Sequence, residues 1–138
     1  MLHHLSIGVQ DIDKAARFYD AALAPLGYGR VWSDLRPGER GQAVGYGPAG
    51  AGDKLAVKQV AGPVAQLPGF HIAFSAPSRA AVVAFHAAAL LAGGRDNGPP
   101  GLRPDYGAHY FAAFAIDPEG YRLEAVCTLS DPTTGPSG

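Results

Sequence analysis

The apolar positions fall into short runs with two different periods. Residues 2–9 alternate, with His3, Leu5, Ile7 and Val9 on one face and Leu2, His4, Ser6 and Gly8 on the other. The first set is the more apolar, so it should pack inward and leave His4 pointing away from the core. From Asp11 the period lengthens. Ala15, Phe18, Ala22 and Leu26 lie at helical spacing, Asp11 is a good N-cap, and Pro25 and Gly27 stop the helix. Strands are then expected over Tyr28–Ser33, Gln42–Tyr46 and Lys54–Val60, with a polar loop at Asp34–Gly41 and a Gly-rich turn at Pro48–Asp53. Ala61–Gly69 reads as a linker.

A second unit repeats the first. His4-Leu5-Ser6-Ile7-Gly8 is echoed by His71-Ile72-Ala73-Phe74-Ser75, an offset of 67 residues. In that register Asp11 matches Ser78, Phe18 matches Phe85, Leu23 matches Leu90, and Gly27 matches Gly94. This predicts an internal duplication. Ser78 should cap a helix running to about Ala92, with Gly93-Gly94 supplying a left-handed terminus. Arg95–Ala108, rich in Pro and Gly, reads as a long loop that could hold a short strand. His109–Ile116 and Tyr121–Thr128 read as strands joined by the tight turn Asp117-Pro118-Glu119-Gly120. The expected fold is α+β: two βαβββ modules, at 1–60 and 70–129, forming a cupped, partly open mixed β-sheet barrel with the helices outside. The segment 130–138 is expected to be a flexible tail.

Composition narrows the classes of partner. The chain has 138 residues, a net charge of −1, 17% charged residues and one cysteine. One domain is expected from the length. The charge gives no reason to expect nucleic acid or an anionic membrane. No apolar run is long enough for a membrane span, and no signal peptide is evident. Cys127 excludes an intrachain disulfide and suits a reducing cytoplasm. It is expected to be buried and inert.

Three side chains carry candidate chemistry. In the last strand Tyr121, Leu123 and Ala125 share one face, and Arg122, Glu124 and Val126 the other. A duplicated module would bring its first and last strands to a common concave surface, where His4, His71 and Glu124 would converge. Two imidazoles and a carboxylate suit a divalent ion such as Fe, Mn, Zn or Ni. A one-residue slip would exchange His3 for His4. Phe18 and Phe85 are expected in the core, and His86 on a solvated helix face. Phosphate-loop chemistry at Gly47–Gly52 and Ser-His-Asp or Cys-His catalysis find no support.

The motifs His4-x4-Val9-x-Asp11, Ala16-Arg17-Phe18-Tyr19, His71-Ile72-Ala73-Phe74 and Asp117-Pro118-Glu119-Gly120-Tyr121-Arg122-Leu123-Glu124 resemble the vicinal oxygen chelate superfamily over residues 2–128. That superfamily includes glyoxalase I, extradiol dioxygenases, fosfomycin-resistance proteins and bleomycin-binding proteins. The resemblance implies metal ligands at His4, His71 and Glu124 and a small-molecule substrate chelated through vicinal oxygens. Two βαβββ units leave open sheet edges, so a homodimer is expected. Glyoxalase I places a fourth ligand, a glutamate, on the last strand of module one. Here the matching spacing from His4 falls on Val57, next to Lys58, and neither is an acid. An acid or base would come from Tyr46, Tyr106, His109 or Tyr110. His109 and Tyr110 are the expected catalytic pair. Lys58, if it faces inward, could hold an anionic group. A binding module without turnover, using Trp32, Tyr46 and Tyr110, is the alternative. A dimeric structural or regulatory domain with a vestigial cavity is a third reading. The resemblance leaves open whether the site lies within one chain or across a swapped dimer.

Overall fold

The computed structural model describes residues 1–65 and 67–131. The tail expected at 130–138 lies outside the described residues from 132 onward. Two βαβββ modules follow one another. The first has β1 (Leu5–Val9), α1 (Ile12–Leu23) with a short 3₁₀ turn at Ala24–Leu26, β2 (Tyr28–Asp34), β3 (Ala43–Pro48) and β4 (Leu55–Gln59). The second has β5 (Ile72–Ser75), α2 (Arg79–Leu91), β6 (Arg95–Leu102), β7 (Phe111–Ile116) and β8 (Arg122–Cys127). Each module forms its own four-stranded mixed sheet, ordered β1-β4-β3-β2 and β5-β8-β7-β6. In each, the first strand runs parallel to the last and lies at an edge. The sheets do not close on one another.

The helices start where side chains satisfy free backbone donors. Asp11 accepts from Lys14 N at 3.0 Å, and Ser78 from Ala81 N at 3.1 Å. The duplicated glycines stop them differently. Gly27 is left-handed, at φ 85°. In module two Gly93 takes that role, at φ 102°. Gly94 is required for another reason: a Cβ there would stand 2.7 Å from the Ala89 carbonyl oxygen and 2.8 Å from the Phe18 ring.

A single core lies between helices and sheets. Ile7, Val9, Phe18, Leu23, Val44, Val57, Val82, Phe85, Leu123 and Ala125 are all buried in it. α1 and α2 also pack on each other. Leu90 departs from its counterpart Leu23, being partly exposed where Leu23 is buried.

Three expectations need correction. The long segment after α2 is mostly strand, with Pro99 and Pro100 inside β6. Proline hides a strand from sequence pattern but is tolerated on an edge, and β6 is an edge. The strand expected at His109 begins at Phe111, because a turn held by Tyr110 N on Gly107 O occupies the preceding residues. His86 is buried rather than solvated. Its Nε2 meets Asp96 Oδ1 at 2.9 Å, tying α2 to β6.

Several phenols are buried as well. Burial, then Asp117, pushes the Tyr19 hydroxyl well above its ordinary 10.0. Burial, then Asp20, does the same for Tyr46. Such groups keep their proton in the folded state at a pH where the unfolded chain has released it. Their contribution to stability is therefore full below about pH 10 and lost as pH rises beyond it. Of the six tyrosines, Tyr19 and Tyr46 should ionise only on alkaline unfolding. Near-ultraviolet absorbance followed alongside circular dichroism would show this, and early ionisation of all six in the folded chain would contradict it.

Among the described residues, no helix is long and apolar enough to cross a membrane.

Candidate functional site

Strand parity decides which side chains reach the face away from the helices. In module two Leu123, Ala125 and Ala115 point to the core. Their neighbours Arg122, Glu124, Val126 and Phe114 point the other way, as do His71 and Ala73 along the β5 edge. Glu124 is only 3% exposed on this face. A buried carboxylate needs partners, and two are present. His71 Nε2 donates to Glu124 Oε1 at 3.1 Å. The Tyr110 hydroxyl donates to Oε2. Burial first, and then Glu124, pushes the Tyr110 hydroxyl up to about 12. It stays protonated near neutrality and holds the carboxylate in place. Tyr106 stacks edge-on against Tyr110, with centroids 5.4 Å apart.

His4 is not part of this cluster. It is exposed, just before β1, and its Nδ1 lies 2.8 Å from His3 Nδ1. Among the described residues, no three His, Cys, Asp or Glu side chains are gathered so that they could hold a metal ion. His109 is exposed and has no hydrogen bond to Glu124 or His71. Tyr46, expected near the cavity, faces the core instead. Its hydroxyl donates to Ala16 O at 3.1 Å and Asp20 Oδ1 at 2.9 Å. The reason is parity: on β3 Val44 and Tyr46 turn toward α1, and Gly45 takes the outer face.

The expectation about module one's closing strand also shifts. Ser6 pairs with Ala56, as Ala73 pairs with Glu124. Ser6 and Ala73 are equivalent by the 67-residue offset, so Ala56 is the counterpart of Glu124. It lies 52 residues after His4, against 53 from His71 to Glu124. Val57, the residue expected there, is buried in the core. The module-one position thus carries no acid. Lys58, two residues on, is exposed on the outer face. A register shift in β2 between Arg30 and Trp32 lays the indole over Gly45, where an added Cβ would come within 2.2 Å of it.

Two concavities that share Phe70 and Arg122 lie near the His71–Glu124 pair, and the smaller of them touches His71. One, of about 220 Å³, is lined by Phe70, His71, Asn97, Phe114 and Arg122. The other, of about 360 Å³, shares Phe70 and Arg122 and adds Arg95 and Ile116. Sequence reasoning missed Arg95, Asn97 and Phe70. Arg122 was legible, since it stands two residues before Glu124 on the same face.

The family model for the glyoxalase/bleomycin resistance protein/dioxygenase superfamily matches residues 1–125. The chain belongs to this superfamily. Solved structures of superfamily members resemble it throughout. A glyoxalase/bleomycin resistance protein from Albidiferax ferrireducens is 28% identical, with a TM-score of 0.72 over 90% of this chain and 95% of its own. A glyoxalase-related enzyme from Fulvimarina pelagi is 22% identical, with a TM-score of 0.65 over 92% of this chain and 87% of its own. Glyoxalase I from Zea mays is 19% identical, with a TM-score of 0.70 over 91% of this chain and 45% of its own. The last two show likeness of fold alone. No curated protein matches the chain. The superfamily fold accounts for the duplicated modules and for the open face that carries Glu124.

Proposed function

We propose that the protein is a metal-dependent enzyme acting on a small oxygenated molecule, with a divalent ion held by His71 and Glu124 of one chain and His4 of a second copy. The observation that carries this reading is the contact between His71 and the buried Glu124 on the sheet face away from the helices. Adjacent ligands on one ion, each about 2.1 Å from it, stand about 3 Å apart when their bonds meet at a right angle. The 3.1 Å separation of Nε2 and Oε1 fits that spacing. An ion there would replace the proton the two atoms now share. When bound, it would supply Lewis acidity toward two adjacent oxygens of a substrate.

The third donor is the part that needs a partner. β1 and β5 are open edges of separate sheets, and open edges favour pairing with another chain. His4 stands at the start of one of them, with its Nε2 free of hydrogen bonds among the described residues. Within this reading Glu124 brings the negative charge, and Tyr110 is a positioning residue that fixes the carboxylate's second oxygen. Phe70 and Phe114 provide apolar walls beside His71.

The test is metal content after reconstitution with Fe, Mn, Zn or Ni. The wild type should bind about one ion per chain, and His71→Ala and His4→Ala should each bind less than about a tenth as much. Mixing the two variants should restore part of the loading, because a mixed dimer regains one intact site. A wild-type protein that takes up no ion would sink the proposal. Metal loading by a pure monomer would sink its shared-site form. A ligand that raises the melting temperature equally with and without metal would favour binding without turnover.

A further inference from the structure

Among the described residues, the face that carries Glu124 also carries two arginines without acidic partners. Arg95 pairs with Ile116 across β6 and β7, and Ile116 pairs with Arg122 across β7 and β8. The three residues form one row across the sheet. Ile72 pairs with Leu123, which sets the preceding residues, His71 and Arg122, side by side at the end of that row. The next row along the strands is Gly98, Phe114, Glu124 and Ala73. Residues two apart on a strand are about 7 Å apart, and strands two apart about 10 Å. Arg122 therefore rises next to His71, and Arg95 stands on the far side of Ile116, about 10 Å further across the sheet.

The acids nearby are engaged elsewhere. Asp96 accepts from His86 and from Gly98 N. Asp117 accepts from Tyr19 and from the turn that follows it. Glu119 accepts from Gln10 N. Glu124 is held by His71 and Tyr110. Among the described residues, neither the Arg95 nor the Arg122 side chain has an ion pair or hydrogen bond, yet both line the concavity of about 360 Å³. Two uncompensated cations facing one hollow repel each other, and an oxyanion between them removes that repulsion.

We propose that Arg95 and Arg122 form an oxyanion subsite, so that the substrate carries a carboxylate or a phosphate-type group. The apolar stem of such a molecule lies against Phe70 and Ile116, and its reacting oxygens point past Arg122 toward His71 and Glu124. The orientation rests on the function proposed above. The anion subsite itself does not, and it can be measured in metal-free protein.

The experiment titrates EDTA-dialysed protein with inorganic phosphate and, separately, with malonate, followed by calorimetry or amide NMR shifts. Millimolar binding of at least one anion is expected, weakening as salt is added. Arg95→Gln and Arg122→Gln should each weaken it about tenfold. Arg17→Gln, on the exposed side of α1, should leave it unchanged. The replaced side chains are exposed, and unchanged melting temperatures would confirm that each variant folds. His71→Ala should lose metal loading and keep anion binding, which separates failure of the two proposals. Preference for phosphate or for malonate would identify the head group. Absence of binding by both anions, or equal weakening by Arg17→Gln, would overturn the subsite.

Discussion

Asp117→Ala lowers the unfolding free energy by about 4 kcal/mol, the largest loss expected from any one polar side chain outside the candidate site. Asp117 is 3% exposed and sits at the head of the turn between β7 and β8. Its Oδ1 accepts from three backbone donors, Glu119 N at 2.9 Å and Gly120 N and Tyr121 N at 2.8 Å. Its Oδ2 accepts from the hydroxyl of Tyr19, which is fully buried on α1. Burial pushes the Asp117 carboxyl up, while Tyr19 and these backbone groups pull it back toward ionisation. One side chain thus ties the helix of module one to a turn of module two. Alanine leaves the Tyr19 hydroxyl without its acceptor, in a place water does not reach. Asp117→Asn keeps an acceptor for the turn and should cost about half as much. Tyr19→Phe combined with Asp117→Ala should cost less than the two single losses added together, because the orphaned hydroxyl is gone. Urea unfolding of the four proteins measures this. Strict additivity would show that the link between modules carries no energy.

The fold was legible because the duplication repeats physical constraints and not only letters. Asp11 and Ser78 both cap helices, and Phe18 and Phe85 are both fully buried. The regions that escaped have identifiable causes. β6 is written in Gly and Pro, and only its edge position permits a strand there. His86 follows a buried Phe by one residue and so looked solvated, but Asp96 arrives from β6 to meet it, a contact no local pattern reveals. The site was legible in part. Parity along β8 separates Glu124 from Leu123 and Ala125 without any structure. Parity along β3 would have removed Tyr46 from the cavity candidates, had Val44 been taken as core. The counterpart of Glu124 was misplaced by one residue, because module one has one residue fewer between His4 and Ala56 than module two has between His71 and Glu124. Arg95 could not be placed while its strand was read as loop.

If His71 and Glu124 hold the proposed ion, Glu124→Gln should reduce divalent-metal affinity by about 100-fold or more while leaving the fold intact. Glutamine has nearly the same shape, so the core beneath β8 has no reason to rearrange. What changes is charge. Among the described residues, the carboxylate is the one anionic group in contact with His71, and an ion held by imidazoles alone would lack the partner that offsets its charge. In the metal-free protein the unfolding free energy should stay within about 1 kcal/mol of wild type, since removing a buried charge offsets the weaker hydrogen bonds. Tyr110 gives a second readout that needs no metal. Its hydroxyl is pushed up to about 12 by burial first and then by the hydrogen bond and charge of Glu124. Glutamine keeps the burial and removes the charge, so Tyr110 should ionise at lower pH in the variant. Tyrosine absorbance, compared with a Tyr110→Phe control, isolates that one phenol. A variant that loads metal as the wild type does, with Tyr110 shifted, would keep the contact and remove Glu124 from the ligands. An unshifted Tyr110 would mean that the carboxylate and hydroxyl do not meet in solution, and the positioning role would fall with it.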